Sequence, residues 1–239
     1  MDYDGFIQLV QNRRSIRSFK TDPVPDDLVE KIIEAARFAP SGANSQPWEF
    51  LVLNDKDVKD RVVEIVKEGS ESSYKIGQTR PPDERHPSDN RRWKNPGFKD
   101  APVFIILFGD KRLMETFPLS ACLNHGDEIF VSSLASTFLY MNLAVTSLGL
   151  ASQWVTSTSQ PLAQALIKEL LGVPRDYKLY DTMAVGYGKH PPLPRLVRKR
   201  EEITHDNRYD MNKYRPDEQL KKFIGAVQKG RSTMPDSSG

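Results

Sequence analysis

Apolar residues first recur at helical spacing near the start of the chain, where Phe6, Ile7, Leu9 and Val10 mark one face of a short helix. That helix stops at a basic cluster, Arg13-Arg14-Ser15-Ile16-Arg17. Pro23 to Asp27 sets up a second helix, with proline and acids at the positive end of its dipole. Leu28, Ile32, Ala35, Ala36 and Ala39 continue it until Pro40-Ser41-Gly42. Trp48 to Leu53 reads as a strand, and Asp55 to Lys67 as an amphipathic helix striped by Val58, Val62, Ile65 and Val66. A proline-rich, charged stretch over 69–100 lacks a core pattern and reads as a lid. Val103 to Phe108 resumes as a buried strand, and 110–126 is irregular. The spacing then predicts a long central helix over 127–148, closed by Gly149-Leu150. A short strand over Gln153–Thr156, a helix from Ser159 to Leu171 and a last core strand over Thr182–Gly186 follow. From His190 no core pattern returns until Leu220 to Ile224, and the final residues, 231–239, read as a disordered tail. Few strands among long helices give an α+β, three-layer architecture, with no internal repeat and one domain over 1–230.

The stretch Ile129 to Trp154 carries no charge and is long enough to span a bilayer. Seven Ser, Thr and Asn residues between Ser132 and Ser147 dilute it, and Asp127-Glu128 precede it where a lone span would want basic flanks. It reads as a buried central helix, with no membrane partner expected. The acidic start, Met1 to Gly5, does not resemble a signal peptide.

With 34 Lys and Arg against 32 Asp and Glu, the net charge of +2 excludes a nucleic-acid binder that works through bulk charge. The single cysteine, Cys122, excludes an intrachain disulfide and a multi-cysteine metal site. Four scattered histidines make no metal-ligand spacing. A reducing cytoplasm fits this usage.

Two segments carry candidate chemistry. If the basic cluster is extended, Arg13, Ser15 and Arg17 share a face while Ile16 turns inward. Guanidinium forks and a hydroxyl suit a phosphate dianion, although a solvated basic patch or an RNA contact would use the same residues. The loop Pro40 to Trp48 is built of small and amide residues, so its backbone can approach a flat ligand and its side chains can meet a heterocycle's edge. An ordinary helix-to-strand turn would look alike.

Together, Arg-Arg-Ser-x-Arg-x-Phe and Pro-Ser-Gly-x-Asn-Ser-Gln-Pro-Trp about 25 residues later resemble the nitroreductase family of flavoproteins. The resemblance continues through Gly149 to Trp154, Leu171 to Pro174, Ala184 to Gly188 and Arg198 to Ile203. It implies a central mixed or antiparallel sheet flanked by helices, an intertwined homodimer, and FMN in clefts at the dimer interface. It further implies that Arg13, Arg14, Ser15 and Arg17 hold the FMN phosphate and ribityl chain. Ser41, Gly42 and Asn44 would line the flavin from the partner subunit. Thr156 and Ser157 would lie near flavin N5, standing where family members often carry Gly-Gly, so that either backbone or hydroxyl would donate there. Arg198 or Arg200 would add a second cation to the phosphate, with Arg198 preferred, and Arg17 would lie near the N1–O2 edge. No catalytic side chain is expected, because the flavin carries the redox step. The implied reaction is ping-pong, with NAD(P)H as reductant and a nitroaromatic, a quinone or a similar small aromatic substrate as acceptor. Deiodinase-like reductive dehalogenation of halogenated phenols, or flavin binding without turnover, are the alternatives. The lid, 69–126, would choose among acceptors. In it Trp93 and Phe98 would either stack on substrate or pin the loop, and Arg91, Arg92 and Lys94 would meet an anionic group or water.

Overall fold

The computed structural model describes residues 2–85, 95–192 and 195–232. The chain divides into two compact units, 1–190 and 191–239.

The first unit is built on a four-stranded antiparallel sheet, β1 (Trp48–Leu53), β2 (Val103–Asp110), β3 (Ala151–Val155) and β4 (Tyr177–Gly186), in the order β1-β2-β4-β3. β2 is buried along nearly its whole length because both faces are covered. On one side Val103, Ile105, Leu107, Met183 and Val185 pack with residues of α2 (Asp26–Ala36) and α4 (Leu119–Ser147). On the other, Phe104, Ile106, Phe108 and Ala184 pack with Val62, Val63 and Val66 of α3 (Lys56–Gln78) and Ile167 of α5 (Pro161–Leu170). The expected three-layer α+β arrangement is therefore present. The opening helix, α1, covers Tyr3–Asn12 and is capped by the Asp2 carboxylate, which accepts from Gly5 N.

α4 is seated directly on the sheet. A β-carbon at Gly109 would come within 2.5 Å of Phe130 Cζ and 2.6 Å of Leu134 Cδ1. α4 is long and apolar enough to cross a membrane, yet Phe130, Leu134, Phe138 and Met141 are buried in the core. It begins at Leu119, eight residues before the expected start, and is interrupted at His125, where φ is −156°. The break explains why the apolar period only becomes regular beyond it. Gly149 ends α4 at φ 71°, the left-handed conformation that suits glycine after a helix.

The stretch 69–100 is not wholly irregular. α3 runs on to Gln78, eleven residues past the expected end, burying Gly69 and Gly77. Two glycines and three serines among residues 68–78 give neither helix propensity nor an apolar stripe, so periodicity alone misses it. A single turn, Gly97–Asp100, leads into β2. Trp93, Arg91, Arg92 and Lys94 lie outside the described residues. Phe98 is fully buried, with its ring edge-on to Phe104 at 5.7 Å, so it pins the chain to the core and does not stack on substrate.

The second unit has two short turns, Arg200–Glu202 and Met211–Lys213, and a helix, α6 (Asp217–Ser232). α6 reaches two residues into the expected tail, whose remainder, 233–239, lies outside the described residues.

Candidate functional site

The arginine segment is fixed by backbone pairing. After α1 the chain turns extended, and Ile16 N donates to Ser152 O at 2.8 Å, which bridges Ser15 to Ser152 on β3. Lys20 N donates to Tyr187 O at 2.8 Å and Lys189 N to Ser18 O at 3.0 Å, so 15–20 runs beside the sheet as an irregular further strand. Arg13, Arg14 and Ser15 are half-buried and Arg17 is exposed. The Arg14 guanidinium turns back on α1, donating through Nη1 to the carbonyls of Gln11 and Arg13, as a basic side chain does at a helix C-terminus. Its Nε is buried and unpartnered.

Two close contacts brace this segment from below. A β-carbon at Gly97 would run into the Arg17 carbonyl, so only glycine lets the turn before β2 lie against it. Lys59 of α3 is buried, and burial pushes its pKa down. Its ammonium donates to Pro102 O at 2.6 Å and Ala101 O at 3.2 Å, tying the same turn to α3. Neither residue stands out in sequence, beyond the Pro-Gly pair that ends a charged stretch.

Ser15 and the turn Thr156–Ser159 lie at opposite ends of β3. Thr156 follows Ser152 by four residues, about 13 Å along a strand. Thr156 is exposed, whereas Ser157 Oγ is buried with no hydrogen-bond partner. An unsatisfied buried hydroxyl is costly, and a ligand that supplies a partner removes the cost.

The loop Ser41–Asn44 is held by α4. Gly42 N donates to Ser133 Oγ at 3.2 Å, and a β-carbon at Gly42 would strike the Ile129 side chain. Ala43, Asn44 and Gln46 take φ of 51°, 53° and 47°. Such a run of non-glycine residues in the left-handed region costs free energy, and strain of this kind collects at binding sites. Ser41 Oγ accepts from Gln46 N at 3.0 Å and helps to hold the turn.

In the second unit Arg198 donates through Nη2 to Glu202 O at 2.8 Å and keeps a buried Nε free of hydrogen bonds. It lines a cavity of about 290 Å³ with His205, Tyr209 and Lys213. Arg198 Nε lies 3.7 Å from Glu202 Oε2 and Arg200 Nε 3.8 Å from Glu201 Oε1, so each arginine has an acidic neighbour, and Arg200 is the more exposed of the two. Among the described residues no cluster of His, Cys, Asp and Glu is arranged to hold a metal ion.

Residues 10–187 match the model of the nitroreductase family. The chain belongs to the nitroreductase family. Among curated relatives, iodotyrosine deiodinase 1 of Rattus norvegicus is 33% identical over 200 residues, an alignment covering 81% of this chain and 66% of that protein. The chain therefore spans about two thirds of that relative's length. Two solved structures share the fold. Oxidised iodotyrosine deiodinase bound to FMN and 3-iodo-L-tyrosine superposes with a TM-score of 0.67 at 22% identity, covering 85% of this chain and 99% of that one. The nitroreductase CinD from Lactococcus lactis, in complex with nicotinic acid, gives 0.68 at 19% identity, covering 85% and 100%. The family is FMN-dependent. Arg14 Nε and Ser157 Oγ are among the buried polar atoms left without a hydrogen-bond partner in this chain.

Proposed function

We propose that this nitroreductase-family chain is an FMN-dependent oxidoreductase, active as a cytoplasmic homodimer, that passes reducing equivalents from NAD(P)H to a small electron-poor aromatic acceptor. The observation that supports the reading is the pairing of Ser15 with Ser152, which sets the arginine segment at one end of β3, with the buried Ser157 hydroxyl at the other. Arg13, Arg14, Ser15 and Arg17 would hold the phosphate and ribityl chain. Thr156 and Ser157 would offer donors at the flavin ring. Ser41, Gly42 and Asn44 would approach the ring of the other subunit's flavin through a backbone already bent to do so. When bound, FMN accepts and releases the electron pair, and the protein binds it, orients it and tunes its potential.

The dimer reading rests on apolar surface. Leu139 is 47% exposed and Leu123 75% on α4, with Phe6 of α1 also exposed. Two copies packing these faces would remove that surface from water.

Reductive dehalogenation of a halogenated phenol is a second reading, favoured by the 33% identity to a deiodinase. The 69–126 stretch would decide between the two acceptors. Stopped-flow mixing of the FMN-loaded protein with NADH or NADPH, then with 4-nitrophenol, a quinone or 3-iodotyrosine, tests both. Rapid bleaching and reoxidation by the nitro compound or quinone supports the first reading, and iodide release the second. A protein that takes up no FMN overturns them together.

A further inference from the structure

Asp181 is a carboxylate inside a core strand, 7% exposed, and nothing in the flavin cradle described above uses it. Its place is set by an irregularity in β4. Leu107 of β2 pairs with Asp181 but Phe108 pairs with Leu179, so Tyr180 is an extra residue and the strand bulges there. A bulge re-aims side chains. Leu179 points to the α3 and α5 side, whereas Tyr180 packs with Phe138 and Trp154 on the α4 side. Asp181 meets the same group, because Trp154 Nε1 donates to its Oδ2 at 2.5 Å. Two successive residues of β4 thus reach one face.

That face leads to the turn after β3. Val155 pairs with Thr182, so in antiparallel register Asp181 stands opposite Thr156. The Ser159 hydroxyl lies beside the carboxylate but gives its proton to Thr156 O at 2.7 Å, which closes the turn. Asp181 Oδ1 is left buried and without a hydrogen-bond partner. The Trp154 ring is meanwhile fixed by stacking on Phe138, with centroids 4.1 Å apart.

We propose that Asp181 is a positioning residue for the flavin-facing turn: gripped by the Trp154 indole on β3 and flanked by Ser159, its carboxylate fixes the stretch 155–159 so that Thr156 and Ser157 meet the flavin ring at a set distance. The proposal rests on the FMN reading above. It predicts an effect on the balance between oxidised and reduced flavin more than on retention, because the arginine segment at the other end of β3 holds the phosphate.

The test measures the FMN dissociation constant and the two-electron midpoint potential of bound FMN in Asp181→Ala, Asp181→Asn, Trp154→Phe and the double variant Trp154→Phe/Asp181→Ala. Asp181→Ala should change the relative affinity for oxidised and reduced FMN at least tenfold, a shift of about 30 mV, with less than threefold loss of FMN affinity. Trp154→Phe keeps the stacked ring, removes the donor, and should shift the potential in the same direction. The double variant should shift little further, as coupled residues do. Asp181→Asn, which can still accept from the indole, should restore most of the potential. Unchanged potentials, or additive shifts in the double variant, overturn the proposal. If Asp181→Ala does not fold, the potential of Trp154→Phe decides alone. Wild-type protein that binds no FMN overturns the flavin reading and this proposal with it, whereas a wild type that binds FMN beside variants of unchanged potential overturns only the role of Asp181.

Discussion

Gly97 lies so close to the Arg17 carbonyl that no β-carbon fits between them. The turn before β2 is thereby a floor under the arginine segment, and Lys59 bolts that floor to α3 through the carbonyls of Ala101 and Pro102. Replacing Gly97 with alanine must push one of the two backbones aside. Overpacking of this kind costs about 1–3 kcal/mol. Gly97→Ala should lower the unfolding free energy by that amount in urea titrations and weaken FMN binding at least tenfold, because the displaced residue is Arg17. Wild-type stability and FMN affinity in that variant would show that the close approach is not needed.

Asp181 gives a pH prediction with a definite sign. Burial, the largest cause, raises its pKa above the ordinary aspartate value, while the bond from Trp154 opposes the rise. A carboxyl whose folded pKa is raised favours the fold while it is protonated, and that contribution is lost as pH rises through the folded pKa. At pH 7, well above the unfolded aspartate value, the carboxyl therefore works against folding. Asp181→Asn should be more stable than wild type at pH 7, with the difference shrinking as the pH falls toward the unfolded aspartate value. Urea unfolding at a series of pH values checks this, and a difference independent of pH would refute it.

The three layers and the apolar centres of the strands were legible because runs such as Val103 to Phe108 have few alternatives in a chain of this composition, whereas β4 begins at Tyr177, five residues before its expected start at Thr182. Trp48–Leu53 matches residue for residue. The end of α3 was not legible, since residues 68–78 include two glycines and three serines and leave no apolar stripe; Ser72 and Ser73 there donate to the carbonyls of Glu68 and Gly69. The arginine segment and the Pro40–Trp48 loop were visible as motifs, but their support was not. Gly97 and Lys59 act through contacts distant in sequence, and the bulge at Tyr180 has no sequence signature beyond an aspartate set among apolar strand residues.

The exposed apolar face of α4 predicts association. Leu139→Glu places a charge on a surface residue, so the isolated subunit should fold normally. If that face meets a second copy, the charge would be buried unpaired at high cost. Sedimentation should show a dimer for wild type at micromolar concentration and a monomer for the variant, with FMN lost from the monomer because Ser41–Asn44 no longer reaches the partner's ring. A dimeric variant that keeps its flavin would place the interface elsewhere.

Arg13→Ala and Arg17→Ala should each weaken FMN binding by about 1.5–3 kcal/mol, the usual worth of a hydrogen bond to a charged group. Riboflavin, which lacks the phosphate, should bind the variants and wild type alike. Equal losses for riboflavin and FMN would move the arginines away from the phosphate, and unchanged FMN affinity in both variants would remove them from the site.

Ala43 offers a test in which stability and binding move apart. It holds φ at 51° with a β-carbon that crowds the carbonyl, and Asn44 and Gln46 continue the left-handed run. Glycine relieves the crowding but has more freedom to lose from the unfolded chain, so the net gain for Ala43→Gly is about 0.5–1 kcal/mol. Thermal unfolding of the apoprotein should therefore rise by a few degrees. If the strain serves to hold the loop ready for a flat ring, the freed backbone must be ordered again on binding, and FMN affinity should fall by a few-fold while the fold gains stability. A variant that gains on both counts would mean that the strain is a by-product of the tight seat of Gly42 on Ile129 and has no part in binding.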